Sequence, residues 1–146
     1  MATPGFTTTF FVNQTPTEVF NAVNNVRGWW QGEIEGRTDN VGDEFTYRMK
    51  DFHFSKQKLI DVVPDKKIVW LVTDSKLNFL TNKNEWTGTT ISFEITEINN
   101  KTQLRFKHHG LVPNIECYGS CSTGWSKLIQ ESLLSLVTTG KGKNVF

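Results

Sequence analysis

The stretch that decides the fold is residues 118–140, YGSCSTGWSKLIQESLLSLVTTG, near the end of the chain. Read at steps of three or four residues, its mostly apolar positions fall on one side of a helix. That side is formed by Cys121, Trp125, Leu128, Ile129, Ser132 and Leu136. Gly140 stands where such a helix ends, because glycine adopts the left-handed C-terminal conformation without steric cost. The pattern predicts a long helix that lays one face on a sheet.

Two positions on this face are not simple hydrophobes. Ser132 lies near its middle and Cys121 lies on one flank. In one interpretation, Ser132 donates to a carbonyl one turn earlier and Cys121 packs as a small apolar residue. In the other, the face does not close on a dry core and instead roofs a cavity. The residues leave both interpretations open.

Length and composition predict one globular domain. The chain has 146 residues, with five Trp and eleven Phe, and an aromatic content of 12% argues against disorder. Its 16 basic and 15 acidic residues are spread along the chain, so we expect no nucleic-acid partner. Neither a signal peptide nor an apolar run long enough to cross a membrane is evident. We therefore expect a soluble cytoplasmic protein without a membrane partner.

The cysteines do not match a known metal or redox motif. Cys117 and Cys121 are four residues apart, and the closest histidines, His108 and His109, lie upstream on a predicted strand. Metal sites usually have tighter paired spacing, although a site made from these four residues is an alternative. We expect two buried thiols in a reducing compartment, and neither a metal ion nor a cofactor.

The rest of the chain reads as a strand, short helices and a run of strands. Residues 6–12 form the first strand, and a helix follows in which Thr15 caps, Pro16 takes the first position and Glu18 completes a capping box. Over residues 33–109 the apolar period changes to two, which is typical of half-buried strands. A run of strands followed by a helix predicts an antiparallel sheet in an α+β domain. One helix covers less area than the concave face of such a sheet offers, so we expect a space between the sheet and the helix.

Two segments lie outside these patterns. Between residues 74 and 88 the alternation weakens, and Phe79, Leu80 and Trp86 are expected in a loop that folds over something. The sequence GKGK at 140–143 follows a helix instead of preceding one, so it is not a phosphate-binding loop and reads as a frayed basic tail.

A set of motifs, in order along the chain, carries a family resemblance. They are Phe10-Phe11-Val12, TPTEVF at 15–20, Trp29-Trp30, VGDEF at 41–45, VVPDKKIVW at 62–70, Glu85-Trp86, Phe93-Glu94-Ile95, His108-His109-Gly110-Leu111, Gly124-Trp125 and Thr139-Gly140. They resemble the START-like (SRPBCC) superfamily, also called the birch-pollen-allergen fold. Within it, the chain is similar to the branch named after the activator of heat-shock-protein ATPase.

The resemblance covers nearly all of the chain and implies one START-like domain over residues 1–146. It implies a helix-grip fold, in which seven antiparallel strands wrap around a long C-terminal helix and two short helices follow the first strand. A cavity is expected between sheet and helix. The resemblance supplies no catalytic motif, and a shared fold does not establish a shared function.

If this cavity exists, a small group of residues would line it. Its polar groups would be Tyr47, His108, Cys121 and Ser132, and its apolar walls Trp30, Phe45, Trp70, Phe93 and Trp125. The same composition is typical of a filled core. Strand alternation places His108 on the inward face, where it would orient a ligand, act as a base, or be satisfied within the fold.

We therefore expect a non-catalytic protein that binds a small apolar or amphipathic molecule beneath its last helix. The alternative is a protein-interaction module with a chaperone ATPase as partner. A cyclase-type enzyme that uses His108 as its base is the third hypothesis.

Overall fold

The structure is a computed structural model, and it describes residues 4–145. Its strands are β1 (Gly5–Val12), β2 (Glu33–Gly36), β3 (Glu44–Met49), β4 (His53–Val63), β5 (Lys67–Leu77), β6 (Thr90–Ile98) and β7 (Lys101–His109). Over the described range they form one sheet of seven strands in the order β1-β7-β6-β5-β4-β3-β2. Every neighbouring pair is antiparallel, as predicted.

The helices lie at the two positions that the sequence predicts. Two short ones, α1 (Pro16–Asn24) and α2 (Val26–Trp29), connect β1 to β2. After β7 come α3 (Tyr118–Lys127), a π-helical segment (Leu128–Leu133) and α4 (Leu134–Thr139), which follow one another without a break. We call these three segments together the C-terminal helix. The α+β helix-grip fold is thereby confirmed.

Local signals set the element boundaries. Thr15 Oγ1 accepts from the Glu18 N–H at 3.1 Å, and a Glu18 carboxylate oxygen accepts from the Thr15 N–H at 3.2 Å, so the predicted capping box forms. Gly140 ends the C-terminal helix with φ 84°, in the left-handed region. Asn99 and Asn100 turn β6 into β7, both with positive φ, which asparagine tolerates better than most residues.

The inner face of the sheet packs on the C-terminal helix. On β6 and β7, Phe93 pairs with Phe106 and Ile91 with His108, and all four are fully buried. This alternation of inward residues with outward polar ones is the period-two pattern of the sequence. Ile129 and Leu133 of the C-terminal helix belong to the same buried cluster.

A stack of three tryptophans lies at the centre of the core. The ring centroids of Trp29 and Trp30 are 6.1 Å apart, with an angle of 10° between the rings. Trp70, on β5, lies nearly parallel to both, at 6.3 Å from Trp29 and 6.1 Å from Trp30. The adjacent pair Trp29-Trp30 thereby joins the end of α2 to the middle of the sheet.

Gly28 lies inside α2, where a Cβ would approach a Leu136 methyl group to 3.0 Å, so glycine lets α2 lie close to the C-terminal helix. The structure corrects one expectation, because the chain after Gly140 is not a frayed tail. The Lys143 N–H donates to Ser132 Oγ and the Val145 N–H to Gln31 Oε1, each at 3.1 Å, which fixes this segment against the core.

Candidate ligand-binding site

A cavity of about 310 Å³ lies between the C-terminal helix, strands β3 and β4, and the loop after β5. It is lined by Trp30, Tyr47, Met49, Phe52, His53, Phe79, Trp86, Ser120, Cys121, Gly124, Trp125 and Leu128. None of these lining residues, all in the described part of the chain, is an acid, a lysine or an arginine. Such a cavity suits a neutral, mainly apolar molecule.

The hydroxyl of Tyr47 is already engaged within the fold. It donates to the backbone carbonyl of Gln31 at 2.5 Å, and the ring stacks on Trp30 with centroids 4.0 Å apart. Burial raises the pKa of Tyr47 well above its ordinary value, so the phenol is neutral. Tyr47 therefore offers the cavity mainly its ring.

His53 lies in the cavity wall at the start of β4. It is the first of three hydrogen-bonded polar side chains that run along the inner face of this strand. Its Nε2 is 3.2 Å from Ser55 Oγ, which in turn accepts from Gln57 Nε2 at 2.5 Å. The three residues are two positions apart on one strand, so their side chains share the inner face. Burial lowers the pKa of His53 to about 3, which keeps the ring neutral near pH 7.

Trp86 and Trp125 form the neighbouring part of the wall as a stacked pair, and the Trp86 ring meets the His53 ring edge to face. The ring centroids of the two tryptophans are 5.7 Å apart, with an angle of 14° between the rings. The two indole N–H groups differ in their surroundings. Trp125 Nε1–H donates to His108 Nδ1 at 3.0 Å, whereas Trp86 Nε1–H is buried without a partner among the described residues. A buried donor without an acceptor is uncommon in folded proteins.

His108 is satisfied within the core and does not line the cavity. Its Nδ1 accepts from Trp125 Nε1–H, and its Nε2 is 2.8 Å from Thr89 Oγ1. Because the Thr89 hydroxyl donates to the Trp86 carbonyl at 2.6 Å, it accepts from His108 Nε2–H. Burial, with smaller contributions from His109 and His53, lowers the pKa of His108 to about 3. Neither ring nitrogen is left for a ligand or for proton transfer.

Ser132 lies outside the cavity that its helix roofs, and its hydroxyl does not donate to a carbonyl one turn earlier. Its hydroxyl donates to the Trp29 carbonyl at 2.7 Å and accepts from Gln31 Nε2 and from the Lys143 N–H, each at 3.1 Å. It thus joins α2, the C-terminal helix and the segment after Gly140. A serine at this position serves the fold because it satisfies three separate backbone and side-chain groups.

Two carboxylates hold the loop after β5 against the start of the C-terminal helix. Glu85 accepts from the N–H groups of Glu116 and Cys117, at 2.9 and 2.8 Å. Glu116 in turn accepts from the N–H groups of Thr81 and Asn82, at 2.9–3.1 Å, and these bonds lower its pKa. The reciprocal arrangement positions the wall residues that the loop and the helix contribute.

A family model described as activator of Hsp90 ATPase homolog 1-like protein matches residues 13–138. The chain belongs to this family. No curated protein matches the chain.

Several solved structures share the fold of this chain. The Aha1 dimer from Colwellia psychrerythraea has 23% identity and a TM-score of 0.76, over 95% of this chain and 99% of that one. The SSP2350 protein of Staphylococcus saprophyticus has 14% identity and a TM-score of 0.71, over 98% of each chain. The MLL2253 protein of Mesorhizobium loti has 17% identity and a TM-score of 0.68, over 90% and 95%.

Cys117 and Cys121 are both buried and lie side by side, with Cα atoms 5.5 Å apart, a separation that a disulfide can span. Cys121 lies in the cavity wall and Cys117 is buried behind it. Among the described residues, no group of three or more His, Cys, Asp or Glu side chains is placed to hold a metal ion. No helix within residues 4–145 is long and apolar enough to cross a membrane.

The cavity contains four of the nine residues predicted to bind a ligand: Trp30, Tyr47, Cys121 and Trp125. The other five lie outside its lining. Trp70 is buried in contact with both Phe45 and Phe93, and His108 and Ser132 are bonded as described. Of the eight lining residues that sequence reasoning missed, three lie in turns and loops, namely Phe52, Phe79 and Trp86, and five lie on strands or on the C-terminal helix.

Proposed function

We propose that this protein binds a small, neutral, apolar or amphipathic molecule in the cavity beneath its C-terminal helix. The observation that carries the proposal is the cavity itself, about 310 Å³ with a largely aromatic lining. Ligand sites are typically clefts of roughly 300–1,000 Å³ with mostly hydrophobic walls and a few polar groups.

The mouth of the cavity supports binding from solvent. Phe52 and Phe79 line the cavity and are each 46% exposed, so apolar surface continues from inside to outside. The backbone of Asn78 donates to the Phe52 carbonyl at 2.9 Å, which holds the two mouth segments side by side. Exposed aromatic residues at the rim of a concave apolar site favour entry of an apolar ligand.

The walls are also stiff, which favours affinity. Tyr47 stacks on Trp30 and Trp86 stacks on Trp125, and each indole or phenol ring has few rotatable bonds to lose on binding. A preformed site costs less free energy to order than one that must assemble around its ligand.

Membership of the family links the chain at a coarse level either to a chaperone or to a small molecule. The alternative partner is therefore a chaperone ATPase, which the family description names. The cyclase hypothesis required His108 to act as a general base, but both nitrogens of its ring are already hydrogen-bonded within the core. No other residue of the cavity wall is a comparable base, since the pKa of His53 is about 3.

A fluorescent probe tests the proposal. N-phenyl-1-naphthylamine is neutral and apolar, and its emission rises when it leaves water, so titration into the protein should give a saturable increase. The variant Ser120→Phe places an aromatic ring at a solvent-exposed lining position and should abolish the increase. Thr123→Phe is the matched control, because Thr123 is exposed on the same helix but does not line the cavity.

Native mass spectrometry of freshly purified protein complements this titration, since a co-purifying molecule displaced by the probe would identify the ligand. Absence of a saturable signal, or an equal signal in both variants, would contradict binding in the cavity. In that case a pull-down with a chaperone ATPase, with turnover measured, tests the alternative.

A further inference from the structure

Cys117 and Cys121 lie within disulfide reach of each other at the start of the C-terminal helix. They are four residues apart, so their side chains fall on the same side of the helix, one turn from each other. Their sulfur atoms are in contact, and the Cα separation of 5.5 Å falls within the range of roughly 4.4–6.8 Å that disulfides span. The pair can therefore be joined without movement of the backbone.

Hydrogen bonds fix the backbone of both cysteines. The Cys117 N–H donates to a carboxylate oxygen of Glu85, and the Cys121 N–H donates to the Cys117 carbonyl, each at 2.8 Å. The spacing of the two side chains is thus set by the anchored start of the helix. The chain has two cysteines in all, so each has the other as its sole disulfide partner within the molecule.

The two cysteines differ in their access to solvent. Cys117 is fully buried, whereas Cys121 is 8% exposed and belongs to the cavity wall. The cavity, at about 310 Å³, has room for a solute of a few heavy atoms, since a water molecule takes up about 30 Å³. A small oxidant that enters from the mouth therefore reaches Cys121 before Cys117.

We propose that Cys117 and Cys121 form a dithiol site that a hydroperoxide oxidises to a disulfide through the empty cavity, and that a bound ligand shields. The redox state of the pair then reports whether the cavity is occupied. The shielding rests on the proposed function, because it needs a ligand in the cavity, whereas the dithiol site itself does not.

The oxidation has two steps and balances with hydrogen peroxide as the oxidant. The Cys121 thiolate attacks one peroxide oxygen, so that an S–O bond forms, the O–O bond breaks and hydroxide leaves and takes up a proton. The deprotonated Cys117 sulfur then attacks the resulting sulfenic acid, so that the S–S bond forms and the hydroxyl group leaves as water. The pair loses two electrons, and the peroxide becomes two water molecules. A dithiol reductant reverses the reaction by thiol–disulfide exchange.

Timed alkylation of the reduced protein tests the dithiol site. Protein freed of reductant is exposed to excess hydrogen peroxide and quenched with N-ethylmaleimide in denaturant, and intact mass gives the number of alkylated thiols. Both thiols should disappear together, without a disulfide between chains. Cys117→Ala should stop at a Cys121 sulfenic acid that dimedone traps, and Cys121→Ala should leave Cys117 alkylatable over the same time. The count of alkylated thiols does not register oxidation of Met49, which also lines the cavity.

Blocking the cavity tests the route of the oxidant. N-phenyl-1-naphthylamine at about ten times its dissociation constant leaves about one cavity in eleven empty, so oxidation should slow about tenfold. Ser120→Phe, which fills the cavity, should slow oxidation without any probe. The control Thr123→Phe should oxidise at the wild-type rate, because Thr123 does not line the cavity.

Loss of one thiol without the other, or oxidation of Cys117 in Cys121→Ala at the wild-type rate, would overturn the dithiol site. Equal oxidation rates for the empty wild type, the probe-filled wild type and Ser120→Phe would overturn the route through the cavity. Failure of the fluorescent probe to bind would instead refute the proposed function and the shielding with it, while the joint loss of both thiols would still establish the dithiol site.

Discussion

The stacked pair Trp86 and Trp125 offers a matched test of the polar interactions in the core. Their side chains are 3% and 2% exposed and lie against each other, so replacing either by phenylalanine removes a similar amount of buried ring. They differ in that Trp125 Nε1–H is bonded to His108 Nδ1, whereas Trp86 Nε1–H is unpaired among the described residues. The two substitutions should therefore have unequal effects on the free energy of unfolding.

The magnitudes follow from volume and hydrogen bonding. An indole exceeds a phenyl ring by about 40 Å³, and at about 24 cal/mol per Å³ of residual cavity each variant loses about 1 kcal/mol. Trp125→Phe also leaves the buried Nδ1 of His108 without a donor, which costs about 1–3 kcal/mol more. Trp86→Phe removes an unpaired N–H and incurs no such loss. We expect Trp125→Phe to be less stable than Trp86→Phe by about 1–3 kcal/mol.

Urea unfolding monitored by far-UV circular dichroism measures both variants, since this signal does not depend on the number of tryptophans. Their m-values should match the wild-type value, which shows that the compared transitions expose the same surface. Equal destabilisation, or a larger loss in Trp86→Phe, would refute the hydrogen-bond assignment of His108 and the reasoning built on it.

Two further perturbations test the packing of the core: a change of pH that acts on His108, and a substitution at Gly142. The pKa of His108 falls from 6.5 to about 3 on folding, so stability is complete above pH 6.5 and declines as the pH falls toward 3, because only the unfolded chain then takes up the proton. The unfolded ring is half protonated at pH 6.5 and the slope approaches about 1.36 kcal/mol per unit below it, so the wild type should lose about 2.3 kcal/mol more than His108→Gln between pH 6.5 and 4.5. His53 adds the same slope to both proteins. Parallel plots of unfolding free energy against pH for the two proteins would contradict this. For Gly142→Ala, the new methyl group would overlap the backbone carbonyl of Gly28, and we expect a loss of about 1–3 kcal/mol in thermal unfolding. The control Gly119→Ala has open space around its Cβ and should be neutral or slightly stabilising, and equal melting temperatures for both variants would show that the terminal segment is not packed as described.

Periodicity and capping signals were sufficient to predict the architecture. The 3.6-residue stripe of the C-terminal helix and the period-two strands are local patterns, and the capping box at Thr15 and the terminal Gly140 both act within one turn. The resemblance to the family supplied the number of strands and the grip on the helix. These features are encoded over short distances, so a single sequence reveals them.

The lining of the cavity was less accessible to sequence reasoning because it depends on long-range geometry. His53 follows a turn, and the inward row that it forms with Ser55 and Gln57 is polar, which hides the inward side of β4 from a hydrophobicity pattern. Trp86 was expected in a covering loop, but its position in the wall depends on the carboxylate of Glu85 binding the N–H groups of Glu116 and Cys117, just before the distant C-terminal helix. No local pattern encodes such a pairing.

The π-helical segment (Leu128–Leu133) illustrates the same limit. It changes the direction of successive side chains within a helix that the sequence reads as regular. Leu128 then lies in the cavity wall, while Ser132 faces away toward Trp29. A straight 3.6-residue helical wheel places both on one face, which explains why Ser132 was expected in the cavity.

The tryptophan stack explains why a domain so rich in aromatic residues keeps an opening at all. Trp29, Trp30 and Trp70 lie nearly parallel, with angles of 10° or less, and flat rings in this arrangement cannot fold into an adjacent space as aliphatic chains do. Tyr47 stacks on Trp30 beside the cavity, with ring centroids 4.0 Å apart. Collapse of the cavity would require these rings to separate, so the same contacts that stabilise the core preserve the shape of the site. Binding therefore needs little rearrangement of these walls, and selectivity would depend on the shape and polarity of the ligand.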